Sequence, residues 1–260
     1  MNIKIVFLDL DGTVLDSTKN ISAENIKAIK KARQAGIIPV IATGRSWPLS
    51  QFAIDLVDPC YFAGMNSAVL INLQNNETII KHVLDMELTK ATIRLMECMG
   101  VKYQLHSHSG AYSPYTPSSM PGMHPSVKPM VDVNTLEPAK FFAKTDTAEK
   151  TKQFLEALKA IDGIVAVPVM ENGFDLLATG LDKSVSAKVL CEKLGITPEE
   201  TAAMGDSAND IELLSFAGCS IAMGNAEPEV KAICKHIVPS NDDNGVAYAI
   251  YNLLGVKKES

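Results

Sequence analysis

The chain opens with an apolar run that stops at acids. Ile3-Lys4-Ile5-Val6-Phe7-Leu8 has five apolar residues out of six and no polar alternation. That pattern suits a strand buried on both faces in the middle of a parallel sheet. It leads into Asp9-Leu10-Asp11-Gly12-Thr13. Next, Ser22 can cap a helix over 23–35 whose apolar stripe is Ile26, Ala28, Ile29 and Ala32, with Gly36 as its stop. Ile37 to Ala42 form a second buried strand, ending in Thr43-Gly44-Arg45. Strand, helix and strand of these lengths make a right-handed crossover unit, which brings Thr43 to the same sheet edge as Asp9. The pattern continues with a helix over 48–56, a strand over 60–64 and a hairpin of 69–73 with 78–83 around Asn75-Asn76.

From residue 84 the rhythm changes. A helix over 86–99 and a strand over 101–106 precede a Ser-, Pro- and Gly-rich stretch, 107–129, expected to be loop with short strands at most. A strand over 139–144, a helix over 147–160 and strands over 164–170 and 174–178 complete an α+β pattern. Alternation then resumes: helix 185–194 up to Gly195, strand 201–204, helix 210–217, strand 219–222, helix 226–234, strand 236–238 and helix 246–254. The expected organisation is an α/β core made of 1–83 and 181–260, a parallel sheet with helices on both faces. An α+β domain, 84–180, is inserted between the two parts.

Composition narrows the function classes. With 47% hydrophobic and 21% charged residues the chain reads as an ordinary soluble globular protein. A net charge of −6 argues against a nucleic-acid partner. The five cysteines form no C-x-x-C pair and read as reduced thiols. Asp9 and Asp11 interrupt the first apolar run too early for a secretory signal, and no stretch has the length of a membrane span. The expected location is the cytoplasm, with no membrane partner.

The chemistry gathers at strand ends. Side chains alternate along a strand, so Asp9 and Asp11 are expected to point the same way at its carboxyl end, where ligands bind open α/β sheets. Two carboxylates there repel unless they share a cation or one stays protonated. Gly12 lets the chain turn, and Thr13 offers a hydroxyl and an N–H. A second acidic group, Gly205-Asp206-Ser207-Ala208-Asn209-Asp210, puts Asp206 at the end of another core strand and Asp210 at a helix start. Oxygen donors without His or Cys favour Mg²⁺ over zinc or copper, although Asp and Asn also belong at any helix N-cap. Thr43-Gly44-Arg45 can offer a hydroxyl and N–H groups to an anion. Lys183 or Lys188 can bring a cation to a phosphate. His106 and His108 lack a third ligand, which makes them a weak metal pair.

Asp9-Leu10-Asp11-Gly12-Thr13, Ala42-Thr43-Gly44-Arg45 and Gly205-Asp206-Ser207-Ala208-Asn209-Asp210 resemble, in order and spacing, the successive motifs of the haloacid dehalogenase superfamily. The stretch from Lys183 to Asp210 and Met223-Gly224-Asn225-Ala226 resemble its Cof-type phosphatases. The resemblance implies a Rossmann-like core with an inserted cap, and a Mg²⁺-dependent phosphatase of small phosphorylated metabolites. It implies Asp9 as nucleophile forming an aspartyl-phosphate, and Asp11 as the group that protonates the leaving alcohol and then activates water. Asp9, Asp206 and the Asp11 carbonyl would hold the metal. Gly12, Thr43, Gly44, Arg45, Lys183 and Asn209 would contact the phosphate. The family's spacing selects Lys183 over Lys188, and Asp210 would orient Lys183 or a metal-bound water. Ser184 stands where the family usually has Gly, and Asn66-Ser67-Ala68 where it usually has Asn-Gly-Ala. Specificity is expected in the cap, in residues such as His106, His108, Tyr112, Tyr115 and His124. Phosphoryl transfer to an acceptor other than water, or a phospho-accepting regulatory module, are the alternatives.

Overall fold

Ile5–Leu8 is buried at all four positions, as a strand with neighbours on both sides requires. In the computed structural model, which describes residues 2–120 and 123–258, it is β1. Then come α1 (Ala23–Gln34), β2 (Ile38–Ala42), α2 (Trp47–Val57), β3 (Tyr61–Gly64), β4 (Val69–Asn72) and β5 (Glu77–Lys81). The middle of the chain holds α3 (Met86–Cys98), β6 (Lys102–Ser107), β7 (Gly110–Ser113), β8 (Lys128–Pro129), β9 (Pro138–Lys144), α4 (Ala148–Leu158), β10 (Ile164–Met170) and β11 (Gly173–Ala178). The last part holds α5 (Lys183–Leu194), β12 (Thr201–Gly205), α6 (Ile211–Phe216), β13 (Cys219–Ala222), α7 (Pro228–Ile233), β14 (His236–Ile237) and α8 (Gly245–Asn252).

The chain divides into two compact units, one of 1–43, 51–80 and 182–260, the other of 44–50 and 81–181. The first is built on an eight-stranded sheet in the order β14-β13-β12-β1-β2-β3-β4-β5. Pairings from β14 to β3 are parallel, and β4 returns antiparallel to β3. β1 lies between β2 and β12, with Leu8 opposite both Ile41 and Met204. The strand ends that carry Asp9, Thr43 and Asp206 therefore meet on one edge. Ser22 caps α1 by accepting from Asn25 N at 3.1 Å, and α1 packs on β2 and α8.

The second unit has a six-stranded sheet, β10-β11-β9-β6-β7-β8, antiparallel except for the short parallel pair β7–β8. One face is an apolar core built on Tyr103, Leu105, Phe141, Ala143 and Leu176, packed with α3 and α4. The segment 107–129 holds β7 and β8. Their apolar signal is short, since β8 is only Lys128–Pro129, and cross-strand pairing supplies what periodicity does not.

Other differences also have local causes. α5 starts at Lys183, two residues earlier than its apolar pattern, because Asp182 accepts from Ser184 N at 2.7 Å and caps it there. The turn over Ala208–Asp210 is 3₁₀ before α6 begins. α7 starts at Pro228, a residue suited to the first helical position. No helix among the described residues is long and apolar enough to cross a membrane.

Candidate active site

Asp9 follows the last residue of β1, and its N–H donates to Met204 O at 3.1 Å, which ties it to β12. The carboxylate is buried, 3% exposed. Lys183, in the first turn of α5 and also buried, donates from Nζ to Asp9 Oδ1 at 2.6 Å and to Asp210 Oδ1 at 2.6 Å. The other oxygen of Asp210 accepts from Asp206 N at 3.0 Å and Ser207 N at 3.2 Å. That fold-back brings Asp210 against the backbone of Gly205, where a Cβ would come within 2.5 Å of Asp210 Cγ. Carboxylate oxygens of Asp9, Asp206 and Asp210 all lie within 4.8 Å of one another.

The acids and the lysine shift one another. Burial pushes the Asp9 pKa well above the usual carboxylate range; Lys183 pulls it down, while Asp210, Asp206 and Asp11 push it further up. Burial, then Asp210, lifts Asp206 to about 7 against the pull of Lys183 and the Thr13 hydroxyl, with Asp11 adding a smaller push. Burial opposes the charge on Lys183, but Asp210 and Asp9 together outweigh it and raise its pKa above the ordinary lysine value. Three carboxylates around one ammonium leave an excess of negative charge in a mostly dry site. An oxygen-only set of this kind fits a hard divalent cation.

Asp11 behaves differently from Asp9. β1 ends at Leu8, so strand alternation does not reach Asp11. The chain turns instead, with a single bridge from Asp11 to Leu15. The Asp11 side chain is 42% exposed and accepts from Lys19 Nζ at 2.9 Å. The two acids thus differ in exposure, one carboxylate buried and the other half-exposed.

Gly12 has φ +77°, and a Cβ on it would lie 2.2 Å from Asp206 Oδ2. Only glycine gives both the turn and the space. Thr13 Oγ1 donates to Asp206 Oδ1 at 3.3 Å. Thr43 is buried at the end of β2, its N–H donating to Ala63 O at 2.9 Å and its carbonyl accepting from Asn66 N at 3.1 Å. Asn209 accepts from Ser207 Oγ at 2.9 Å. Gly44 and Arg45 belong to the second unit. There Arg45 Nη1 donates to Leu49 O at 3.1 Å, and its charge, after burial, holds His124 below the usual histidine range.

Several positioning contacts escape the motif reading. Asn225 Nδ2 donates to Gly12 O at 2.8 Å, Asn225 Oδ1 accepts from Asn241 N at 2.9 Å, and Asn241 Nδ2 reaches Leu15 O at 2.9 Å. This chain of amides pins the loop after Asp11, and it gives Met223-Gly224-Asn225-Ala226 a physical purpose. Met65, Asn66 and Ser67 all have positive φ, and the turn they make lets Ser67 Oγ accept from Ser186 N at 3.0 Å, in the first turn of α5. Among the residues expected to set specificity, Tyr115 packs edge-on against Tyr103, with its hydroxyl on Val101 O at 3.3 Å. Tyr112 is part of the same core. Both serve the second unit's packing. His108 bonds His82 O at 2.8 Å, and His106 is buried.

A sequence profile of haloacid dehalogenase-like hydrolases matches residues 6–250. A 5-amino-6-(5-phospho-D-ribitylamino)uracil phosphatase of Bacillus subtilis is 28% identical over 96% of this chain and 95% of its own length. A phosphoglycolate phosphatase of Methanobrevibacter smithii is 29% identical over 96% of this chain and 98% of its own. Among solved structures, the subclass IIB sugar phosphatase BT4131 superposes with a TM-score of 0.83 at 25% identity, covering 98% of this chain and all (100%) of that one.

Proposed function

Because the chain belongs to the haloacid dehalogenase-like hydrolases, we propose that it is a Mg²⁺-dependent phosphatase working through an aspartyl-phosphate on Asp9. Its substrates in this reading are small phosphorylated metabolites, either sugar phosphates or phosphorylated cofactors. One observation carries the reading: buried Lys183 lies 2.6 Å from both Asp9 and Asp210, with Asp206 in the same carboxylate cluster. The named activities of the relatives, on a ribityl phosphate, a phosphoglycolate and sugar phosphates, support the substrate class.

Asp9, Asp206 and the Asp11 carbonyl would hold Mg²⁺, with Asp210 beside them. When bound, the ion supplies positive charge to the phosphoryl oxygens and to the crowded carboxylates. Lys183 supplies a second, fixed cation, which favours the ionised form of Asp9 against its burial and offsets its approach to an anionic ester. A carboxylate oxygen of Asp9 attacks phosphorus, and the P–O bond to the alcohol breaks. The departing oxygen takes a proton from Asp11, whose half-exposed side chain can exchange protons with solvent. In the second half Asp11 takes a proton from water as the water oxygen attacks phosphorus. The bond between Asp9 and phosphorus then breaks and inorganic phosphate leaves. Thr43, Gly12, Asn209 and the Gly44-Arg45 backbone are the proposed phosphate contacts. Such a site must supply on the order of 20 kcal/mol, and most of that comes from positioning and preorganised charge. Residues 84–180 act as the cap that selects the alcohol. A cytoplasmic location belongs to the same proposal and is supported by five free cysteines.

A panel of phosphate esters assayed with and without Mg²⁺ tests the reading. The expected result is phosphate release that requires Mg²⁺ and is lost in Asp9→Asn. Release that ignores chelation, or survives in Asp9→Asn, contradicts it. An added alcohol acceptor in the same assay separates hydrolysis from transfer, and hydrolysis is expected.

A further inference from the structure

Lys19 has a left-handed backbone conformation, with φ +65°. The tight turn over 16–20 imposes it. Asp16 Oδ1 accepts from Thr18 N at 2.8 Å, Thr18 Oγ1 at 2.7 Å and Asn20 N at 2.9 Å. Asp16 N donates to Asn20 O at 2.9 Å, and Lys19 N donates to Asp16 O at 3.0 Å. Asp242 braces the turn from outside by accepting from Ser17 N at 2.8 Å, beside Asn241, which grips Leu15 O. The lysine side chain runs from this turn back to the reacting loop, where Nζ donates to Asp11 Oδ1 at 2.9 Å.

Folding does not call for a lysine here. Left-handed backbone favours glycine, or else Asn or Asp, and this chain has Asp58, Asn66, Asn76, Asn172 and Asn244 at other positive-φ positions. A lysine at such a position carries a steric cost. Its ion pair does not offset that cost: the two side chains are 60% and 42% exposed, and exposed pairs contribute little. Earlier in the same loop, Gly12 stands at φ +77°, where no side chain fits. At position 19 a long side chain is kept in spite of the backbone, and the group it touches is a reacting one. We propose that Lys19 is a positioning residue, whose ammonium fixes the direction of the Asp11 carboxylate for proton transfer to the departing alcohol and from the attacking water. The proposal rests on the phosphatase reading in taking Asp11 as acid and base.

Asp11 needs such a contact because its strand does not supply one. β1 ends at Leu8, whereas Asp9 is tied to β12 through its N–H and to Lys183 through its carboxylate. A half-exposed aspartate turns among staggered rotamers. Only those that bring a carboxylate oxygen within hydrogen-bond reach of the transferred proton are productive. The ammonium narrows that choice, and it does so from a turn that Asp16 and Asp242 hold in place. A dependence on the leaving group follows. A sugar alkoxide leaves poorly and needs the proton of Asp11 as it departs. A p-nitrophenolate leaves without one, so its departure does not depend on where Asp11 points.

The test is Lys19→Gly and Lys19→Asn in the full chain, each a residue type that the backbone favours. Both are assayed with Mg²⁺ on a hexose phosphate, a pentitol phosphate and p-nitrophenyl phosphate. The ratio of kcat/KM for the sugar and polyol esters to that for p-nitrophenyl phosphate is expected to fall about tenfold in both variants, part of what a positioned proton donor contributes. KM for each ester is expected to stay within about twofold, since the contact acts on a reacting group and not on bound substrate. The melting temperature is expected to hold or rise, because the left-handed strain is relieved. An unchanged ratio overturns the proposal, and a KM raised alike for all three esters would then make Lys19 a phosphate contact. A fall in Lys19→Gly alone also overturns it, by assigning the effect to the flexibility of the turn. A wild type that hydrolyses none of the esters overturns the phosphatase reading, and this role with it.

Discussion

One carbon atom added at Gly12 would land 2.2 Å from the Asp206 carboxylate, on a backbone with φ +77°. Gly12→Ala is therefore expected to destabilise the fold by about 1–3 kcal/mol, read by urea denaturation. It is also expected to lower kcat/KM about a hundredfold, because displacing a reacting group by an ångström costs that much. Lys183→Met makes a different prediction. It leaves Asp9 and Asp210 buried without their cation, at a cost of about 3–5 kcal/mol near pH 8. Without the lysine, which pulls its pKa down, Asp9 holds a proton more readily, so the deficit measured by denaturation should shrink as the pH is lowered toward 5. At this scale the sequence was informative about residue type. Asp9, Gly12, Lys183, Asp206 and Asp210 lie together in space, as motif order and spacing suggested. Exposure was harder to read: Asp11 is two residues from Asp9, yet the strand ends before it and Lys19 holds it half in solvent.

Among the elements, α5 matters most, because its first residue is the buried cation. Asp182 caps it and Ser67 supports its first turn from a distant loop. Asp182→Ala is expected to cost about 1 kcal/mol of stability by the loss of the cap. It should also lower kcat more than it raises KM, because Lys183 loses its fixed position at the reacting group. Equal changes in KM alone would contradict that role. The apolar pattern of α5 predicted a start at residue 185, since caps are polar and leave no mark on periodicity. The left-handed turn at Met65, Asn66 and Ser67 was illegible for a related reason: non-glycine residues seldom take positive φ, and here the reason is a contact with a helix more than a hundred residues along the chain.

For the molecule as a whole, alternating strands and helices at both ends of the chain were enough to predict a parallel sheet. Strands from the two ends do lie side by side, with β1 between β2 and β12. The full strand order depends on tertiary pairing that no local pattern carries. Stability should respond to pH and metal together. Asp206 has its pKa raised from 3.8 to about 7 by burial and by Asp210, so the folded chain keeps a proton that the unfolded chain has lost. Stability present below about pH 4 is therefore lost as the pH rises toward about 7. A divalent cation at the cluster removes the repulsion. Thermal melting should show Mg²⁺ raising the Tm more at pH 7.5 than at pH 5. An Mg²⁺ effect that is equal at both values, or larger at pH 5, would contradict a carboxylate metal site.

The covalent role of Asp9 is the central claim, and mass spectrometry of the acid-quenched enzyme during turnover tests it directly. With Mg²⁺ and a hydrolysed ester, the peptide that carries Asp9 is expected to gain the mass of one phosphoryl group, on Asp9 itself, and to lose it as substrate runs out. Turnover that proceeds with no phosphoryl group on Asp9, or with the label on another residue, would contradict the account.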